Sequence, residues 1–179
     1  MRFWDSSALV PLLFAEPRSR EARRLLREDP EMALWWSSPV ECASALWRRL
    51  RAGDVDRTSF DRAFAALASF RSEAETVLPE DSVRERALQV LAVHALGAAD
   101  ALQLAAALVH RPPGTQSTGF VCFDRRLRAA AHREGFSIFP RDTSAGIEPF
   151  PEDGGRVVTE VAASYGRVRR HALTKIRKR

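Results

Sequence analysis

The chain is short of the residues and runs that mark several large classes of protein. Only two cysteines, Cys42 and Cys122, occur in 179 residues, and their spacing matches neither a disulfide framework nor a paired metal motif. No apolar run approaches the roughly 18 residues that span a bilayer. The N-terminus has no basic start, apolar segment and cleavage site of a secretory leader. A reduced, cytoplasmic setting without a membrane partner is therefore the expectation. His94, His110, His132 and His171 stand singly on helical stretches or near the C-terminus and read as packed or surface side chains. There is no GxxxxGK phosphate loop and no GxGxxG fingerprint. Asp5-Ser6-Ser7 lacks the histidine partner of a hydrolytic triad. A phosphoaspartate mechanism would bring a second Asp two residues after Asp5, where Ser7 stands.

What is present is ordinary in amount and uneven in placement. Hydrophobic residues make up 45% and charged residues 28%, and the length suits one domain with its own core and a modest extension. From Arg156 onward eight basic residues face a single acid, Glu160, for a net charge of +7, which leaves the body of the chain at −2. The high isoelectric point thus belongs to the tail. Two readings of that tail stand: contact with nucleic acid or another polyanion, through residues such as Arg169, Arg170, Lys175 and Arg177, or a solvated end. Asp142 to Gly155, rich in Pro, Gly and acids, reads as a linker over 142–155, after a domain at 1–141 and before the basic segment at 156–179.

Hydrophobic periodicity orders the domain as strands alternating with helices. Strands are expected at Met1–Trp4, Met32–Ser37, Thr76–Leu78, Gly119–Phe123 and Ser137–Phe139. Helices are expected at Ser7–Ala15, Ser19–Glu28, Ser38–Gly53 with Ser38 as N-cap, Thr58–Ser72, Ser82–Leu96, Asp100–His110 and Arg125–Glu134. The Ala- and Leu-rich stretch after Asp100 should be packed on most sides. Such alternation predicts an α/β fold with a central parallel sheet flanked by helices. Trp35, Trp36 and Trp47 read as core or dimer packing rather than as platforms for nucleobases.

Four acids, Asp5, Glu41, Asp100 and Asp124, each sit where a strand or loop hands over to a helix. Singly, each is explained as an N-cap or as a charge favouring the helix dipole. Together they are not, because helix starts at the carboxyl ends of parallel strands meet in the crevice where ligands bind. Carboxylates crowded there repel one another, and a cation or raised pKa values must relieve the repulsion. Hard oxygen donors without histidine or thiolate suit Mg²⁺, with Mn²⁺ as the alternative, over zinc.

Four segments carry these acids in order: Phe3-Trp4-Asp5-Ser6-Ser7-Ala8-Leu9, Ser37-Ser38-Pro39-Val40-Glu41, Ala99-Asp100-Ala101-Leu102-Gln103-Leu104-Ala105, and Val121-Cys122-Phe123-Asp124-Arg125-Arg126-Leu127. Over about residues 1 to 140 the chain resembles the PIN domain family, and most closely the VapC-type toxins of bacterial toxin–antitoxin pairs. The resemblance implies a PIN-like fold and Mg²⁺-dependent cleavage of RNA. It maps Asp5, Glu41, Asp100 and Asp124 onto the family's acidic metal-binding positions and Ser7 onto a supporting hydroxyl. It also implies a homodimer and a cognate antitoxin that reaches into the acidic site. One departure is Cys122, where many relatives carry Thr or Ser, so that a weak thiol donor replaces a hydroxyl.

The expected chemistry is hydrolysis of RNA phosphodiesters by a metal-activated water, with no protein nucleophile. Two other readings remain open: a non-catalytic RNA-binding or interaction module on the same scaffold, and a nuclease outside toxin–antitoxin systems. Arg48, Arg49, Arg51, Arg125, Arg126 and Arg128 lie near the acids in sequence and are either solvated helix charges or phosphate contacts.

Overall fold

A computed structural model of the chain describes residues 1–112, 114 and 118–141. The expected linker at 142–155 and the basic segment at 156–179, with Arg169, Arg170, Lys175 and Arg177, lie outside the described residues.

The elements run β1 (Arg2–Trp4), α1 (Ser6–Leu13), α2 (Ser19–Glu28), β2 (Met32–Trp35), α3 (Ser38–Ala52), α4 (Arg57–Glu73), β3 (Glu75–Val77), α5 (Asp81–Val93), α6 (Ala98–His110), β4 (Gly119–Val121), α7 (Arg125–Arg133) and β5 (Ser137–Phe139). The five strands form one parallel sheet in the order β3-β2-β1-β4-β5. Phe3 of β1 stands opposite Ala33 on one side and Phe120 on the other. This is the α/β architecture the alternation predicts.

Successive strand residues point to opposite faces, so the sheet builds two cores. Trp4, Met32, Leu34 and Val121 pack against Leu9, Leu12, Leu25, Leu46, Phe60 and Phe70 from α1 to α4. Phe3, Ala33, Trp35 and Phe120 pack against Val83, Val90, Leu104, Ala105, Leu127 and Ala131 from α5 to α7. The rings of Phe3 and Phe120 stack at 5.5 Å between centroids. A strand covered on both faces has no polar side to show, which is why Met32–Trp35 is buried throughout. No single helix among the described residues is long and apolar enough to cross a membrane. The apolar residues of α6 from Ala101 to Leu108 pack in the second core.

Several boundaries differ from the sequence expectation, each for a local reason. Strand pairing stops at Trp35 and Val121, because the chain then turns to start α3 and α7. Trp36 keeps one sheet bond, donating its N–H to the Val77 carbonyl at 3.0 Å, yet its side chain is 53% exposed and is not core. Trp35 is core, and Trp47 packs on Phe60 with ring centroids 4.5 Å apart while leaving one side exposed. The cap residue of α3 is Ser37, not Ser38, which is the first helical residue. That helix closes on Gly53, whose φ of 77° lets its N–H reach the carbonyls of Arg49 and Leu50. Helix α5 ends at Val93, where His94 turns aside and pairs with Glu134 at 2.8 Å. Helix α6 starts two residues before Asp100, with Gly97 as its cap residue.

One side chain fastens the outer strand to the site. Arg128 of α7 donates from Nη1 to the carbonyls of Cys122 and Phe139, at 2.7 and 3.0 Å, and from Nη2 to that of Pro140 at 2.7 Å. It therefore ties the end of β4 and the end of β5 to one helix. Charge-assisted bonds of this kind contribute about 1.5–3 kcal/mol. Arg128→Met should lower the unfolding free energy by about 2–3 kcal/mol in a urea titration, and a loss below about 0.5 kcal/mol would contradict a fastening role.

Candidate active site

The strand order decides where side chains from distant parts of the chain can meet. The chain leaves β1 for β2 and β3 on one side, then returns to lay β4 against the other side of β1. At such a reversal a crevice opens beyond the carboxyl ends of the two central strands. Asp5 lies one residue past β1 and Asp124 three past β4. Glu41 is the fourth residue of α3, and Asp100 is the third of α6.

Asp5 is buried and caps α1, its Oδ2 accepting the Ser7 N–H at 2.9 Å and the Cys122 thiol at 3.5 Å. Burial raises its pKa to about 6; the Ser7 bonds oppose that rise, and the nearby Glu41 charge adds to it. The Cys122 thiol is itself fully buried and is pushed well above its ordinary range, first by desolvation and then by Asp5. It stands as a neutral S–H between Asp5 and Ser7, whose Oγ is 3.6 Å away.

Asp124 caps α7 through Oδ1, which accepts the Leu127 N–H at 2.8 Å. The turn that carries it is held from across the sheet. Ser7 Oγ accepts the N–H groups of Phe123 at 2.9 Å and Asp124 at 3.3 Å. Ser7 thus joins the segment after β1 to the segment after β4, through backbone donors rather than through a carboxylate alone.

Glu41 is oriented by three neutral side chains. Ser6 Oγ donates to Oε2 at 2.7 Å, Ser37 Oγ to Oε1 at 2.9 Å, and Gln103 Nε2 to both oxygens at 3.1 and 3.2 Å. Gln103 is fully buried and also reaches Ser38 Oγ at 3.0 Å. None of Ser6, Ser37, Ser38 and Gln103 was given a part in the site by sequence reasoning. The available signal was an amide in an otherwise Ala- and Leu-rich helix, one turn after Asp100.

Asp100 is half-buried, and the described residues give its carboxylate no hydrogen bond. Desolvation raises its pKa, with further upward pressure from Asp124 and Glu41 and relief from Arg126. The charges of all four acids are thereby linked in pairs: Asp5 with Glu41, and Asp100 with both Glu41 and Asp124. The arginines divide by role. Arg128 is committed to carbonyls, and Arg49 forms an ion pair with Glu16. Arg125 and Arg126 are exposed at the start of α7 beside Asp124, and Arg48 and Arg51 are exposed on α3.

Carboxylates alone, set among hydroxyls and an amide, are the donor chemistry of a hard divalent cation. The tight crowding expected from the sequence is nevertheless not found. Among the described residues, no three Asp, Glu, His or Cys side chains stand where one ion could take them all. The cause is local: Asp5 and Asp124 each turn an oxygen back to a helix start, and Glu41 is drawn to its serines and Gln103. Such a set fits a cation that takes one or two carboxylates and completes its shell with water and phosphate oxygens, the habit of Mg²⁺.

The PIN domain family model matches residues 2–133, a span that contains all four acids. No curated protein matches the chain in sequence.

Asp5 gives the site a pH signature. Its folded pKa, about 6, exceeds the ordinary value of 3.8, so the fold holds this proton more tightly than the unfolded chain does. Its effect on stability is absent below the ordinary value, where both states are protonated. As pH rises through about 6 the metal-free protein should lose on the order of 3 kcal/mol through this group. Asp5→Asn should remove the loss and be more stable than the native chain in EDTA at pH 7.5, with the difference vanishing near pH 4 in urea titrations.

Proposed function

Because the chain belongs to the PIN domain family, we propose that it is a Mg²⁺-dependent endoribonuclease, and specifically the toxin of a VapBC-type toxin–antitoxin pair acting in the cytoplasm. PIN domains are generally nucleases that use divalent metals and bind RNA or other nucleic acid. The reading is supported by the charge coupling of Asp5 with Glu41 and of Asp100 with Glu41 and Asp124, with Glu41 held by neutral donors that leave its charge unspent. The toxin assignment rests on the four sequence segments around these acids.

In this reading one or two of Asp5, Glu41, Asp100 and Asp124 would bind the cation directly and the others would act on it through its waters, with Mn²⁺ able to replace Mg²⁺. When bound, such an ion lowers the pKa of a coordinated water and neutralises charge on the scissile phosphate. The chain's own residues do the rest. Ser7 keeps the segments after β1 and β4 in register, so that Asp5 and Asp124 face one crevice. Arg125 and Arg126, exposed beside Asp124, offer cations to the RNA phosphates. The basic residues Arg169, Arg170, Lys175 and Arg177 add non-specific attraction for the RNA backbone.

Two partners complete the proposal: a second copy of the chain and an antitoxin whose segment enters the acidic crevice. Exposed apolar side chains support both, with Trp47 and Phe64 on α3 and α4 and with Leu88, Leu91 and Val93 on the last turns of α5. Light scattering at micromolar concentration should give twice the 20.0 kDa of one chain, and a stable monomer would remove the dimer. A binding-only module is the second reading, favoured by the lack of a ready three-ligand cage among the described residues and by Cys122 beside Asp5.

Purified protein should cut a mixed tRNA and rRNA pool with Mg²⁺ or Mn²⁺ and not with EDTA. Asp100→Asn should lose at least the roughly 100-fold that disturbing a metal's outer partners costs. Cleavage that survives in the variant would exclude the acidic crevice as its source. RNA binding without cleavage by either protein would favour the module.

A further inference from the structure

We infer that Gln103 is the positioning residue of the site: it sets the Glu41 carboxylate against Asp100 so that the two act on one cation. The inference rests on the metal-dependent reading above and names a residue which that reading does not require.

Gln103 and Glu41 belong to opposite layers. Glu41 is on α3, whose Cys42 and Leu46 pack in the core of α1 to α4, whereas Gln103 is on α6, whose Leu104 and Ala105 pack in the core of α5 to α7. Their bonds at 3.1 and 3.2 Å pass from one layer to the other at the end of the sheet. Gln103 is also one helical turn from Asp100, so the two side chains share a face of α6. The residue that grips Glu41 is therefore rigidly spaced from the second acid.

The chemistry of the grip matters as much as its place. A lysine or arginine at this position would orient Glu41 and cancel its charge, as Arg49 does for Glu16 on the same side of the sheet. An amide orients without cancelling. Its direction is set by the carboxylate: the opposite flip would place Oε1 against Oε1 and Oε2 of Glu41, oxygen facing oxygen. Ser38 Oγ accepts from Nε2 at 3.0 Å and donates to Oε1 at 3.3 Å, a hydroxyl that suits either flip, so the carboxylate alone decides. A fully buried glutamine with its nitrogen turned to a carboxylate is costly to bury unless paired, and its pairing here is spent on an acid of the crevice rather than on the backbone.

The test is Mn²⁺ binding by the full chain, followed by EPR, for the native protein and Gln103→Met. Methionine keeps the length and apolar bulk of the side chain and removes both donors. The expected result is Mn²⁺ affinity lowered about 10- to 100-fold, with the melting temperature in EDTA within a few degrees of native. RNA cleavage should need correspondingly more Mn²⁺ and recover to within a few-fold of the native kcat at saturation, a split that a merely structural defect would not produce. Superimposable Mn²⁺ titrations of variant and native chain would overturn the inference while leaving the nuclease reading intact. A native chain that takes up no Mn²⁺ would overturn both. Should Gln103→Met fail to fold, Gln103→Asn keeps an amide but is one methylene short of Glu41, and the same two titrations decide.

Discussion

Carboxylates gathered at one end of a sheet repel one another, and the structure around them is organised by how that repulsion is contained. The strand order β3-β2-β1-β4-β5 makes the encounter unavoidable, since it aims the segments after β1 and β4 into the same crevice. Burial then deepens the conflict. It raises Asp5 to about 6 and lifts Asp100 as well, each with the charge of a neighbouring acid adding to the effect. A protein under selection for stability alone would place apolar side chains here. Keeping the acids means that some of the folding energy from the two large cores is offset at the crevice, the usual relation between an active site and its scaffold.

Containment takes two forms. Asp5 and Asp124 serve their own helices, accepting backbone N–H groups of α1 and α7 with one oxygen each. The capping explanation and the site explanation are therefore both true of the same side chains, since a carboxylate has two oxygens and more acceptor capacity than a cap uses. Glu41 instead is fixed entirely by hydroxyl and amide donors, Ser6, Ser37 and Gln103. Neutral donors fix its direction without supplying a counter-charge. Elsewhere the chain handles acids differently: Glu16 meets Arg49, and Glu134 meets Arg86 and His94.

The architecture was legible in the sequence because its strands and helices differ in period and length. The strand expected at Met32–Ser37 and the helix expected at Asp100–His110 were read from a short apolar run and a longer Ala- and Leu-rich one, and the structure has them at Met32–Trp35 and Ala98–His110. The four acids were legible because each begins or nearly begins a helix. Their contacts were not. Nothing local in Ser6 or Ser37 says that either reaches Glu41, because those bonds depend on where α1 and α3 sit relative to each other. Of the two readings of Trp36, core or dimer packing, the first falls, because the side chain after a core strand residue leaves by the opposite face and is here 53% exposed. The onset of α6 was placed at Asp100 because an acid is a stronger textual cue for a helix start than Gly97, although either residue serves the backbone.

The sheet separates two cores that share almost no side chains. Residues packed on α1 to α4 and residues packed on α5 to α7 are mostly too far apart to couple energetically, so substitutions in one layer add to those in the other rather than compensating for them. Over evolutionary time each layer is free to drift by its own rules, repacking volume for volume. The crevice draws on both, with Asp5 and Glu41 from one and Asp100 and Asp124 from the other. Lineages of this fold would thus be expected to vary most within each layer and least at the few polar positions, Ser7 and Gln103 among them, where one layer has to recognise the other.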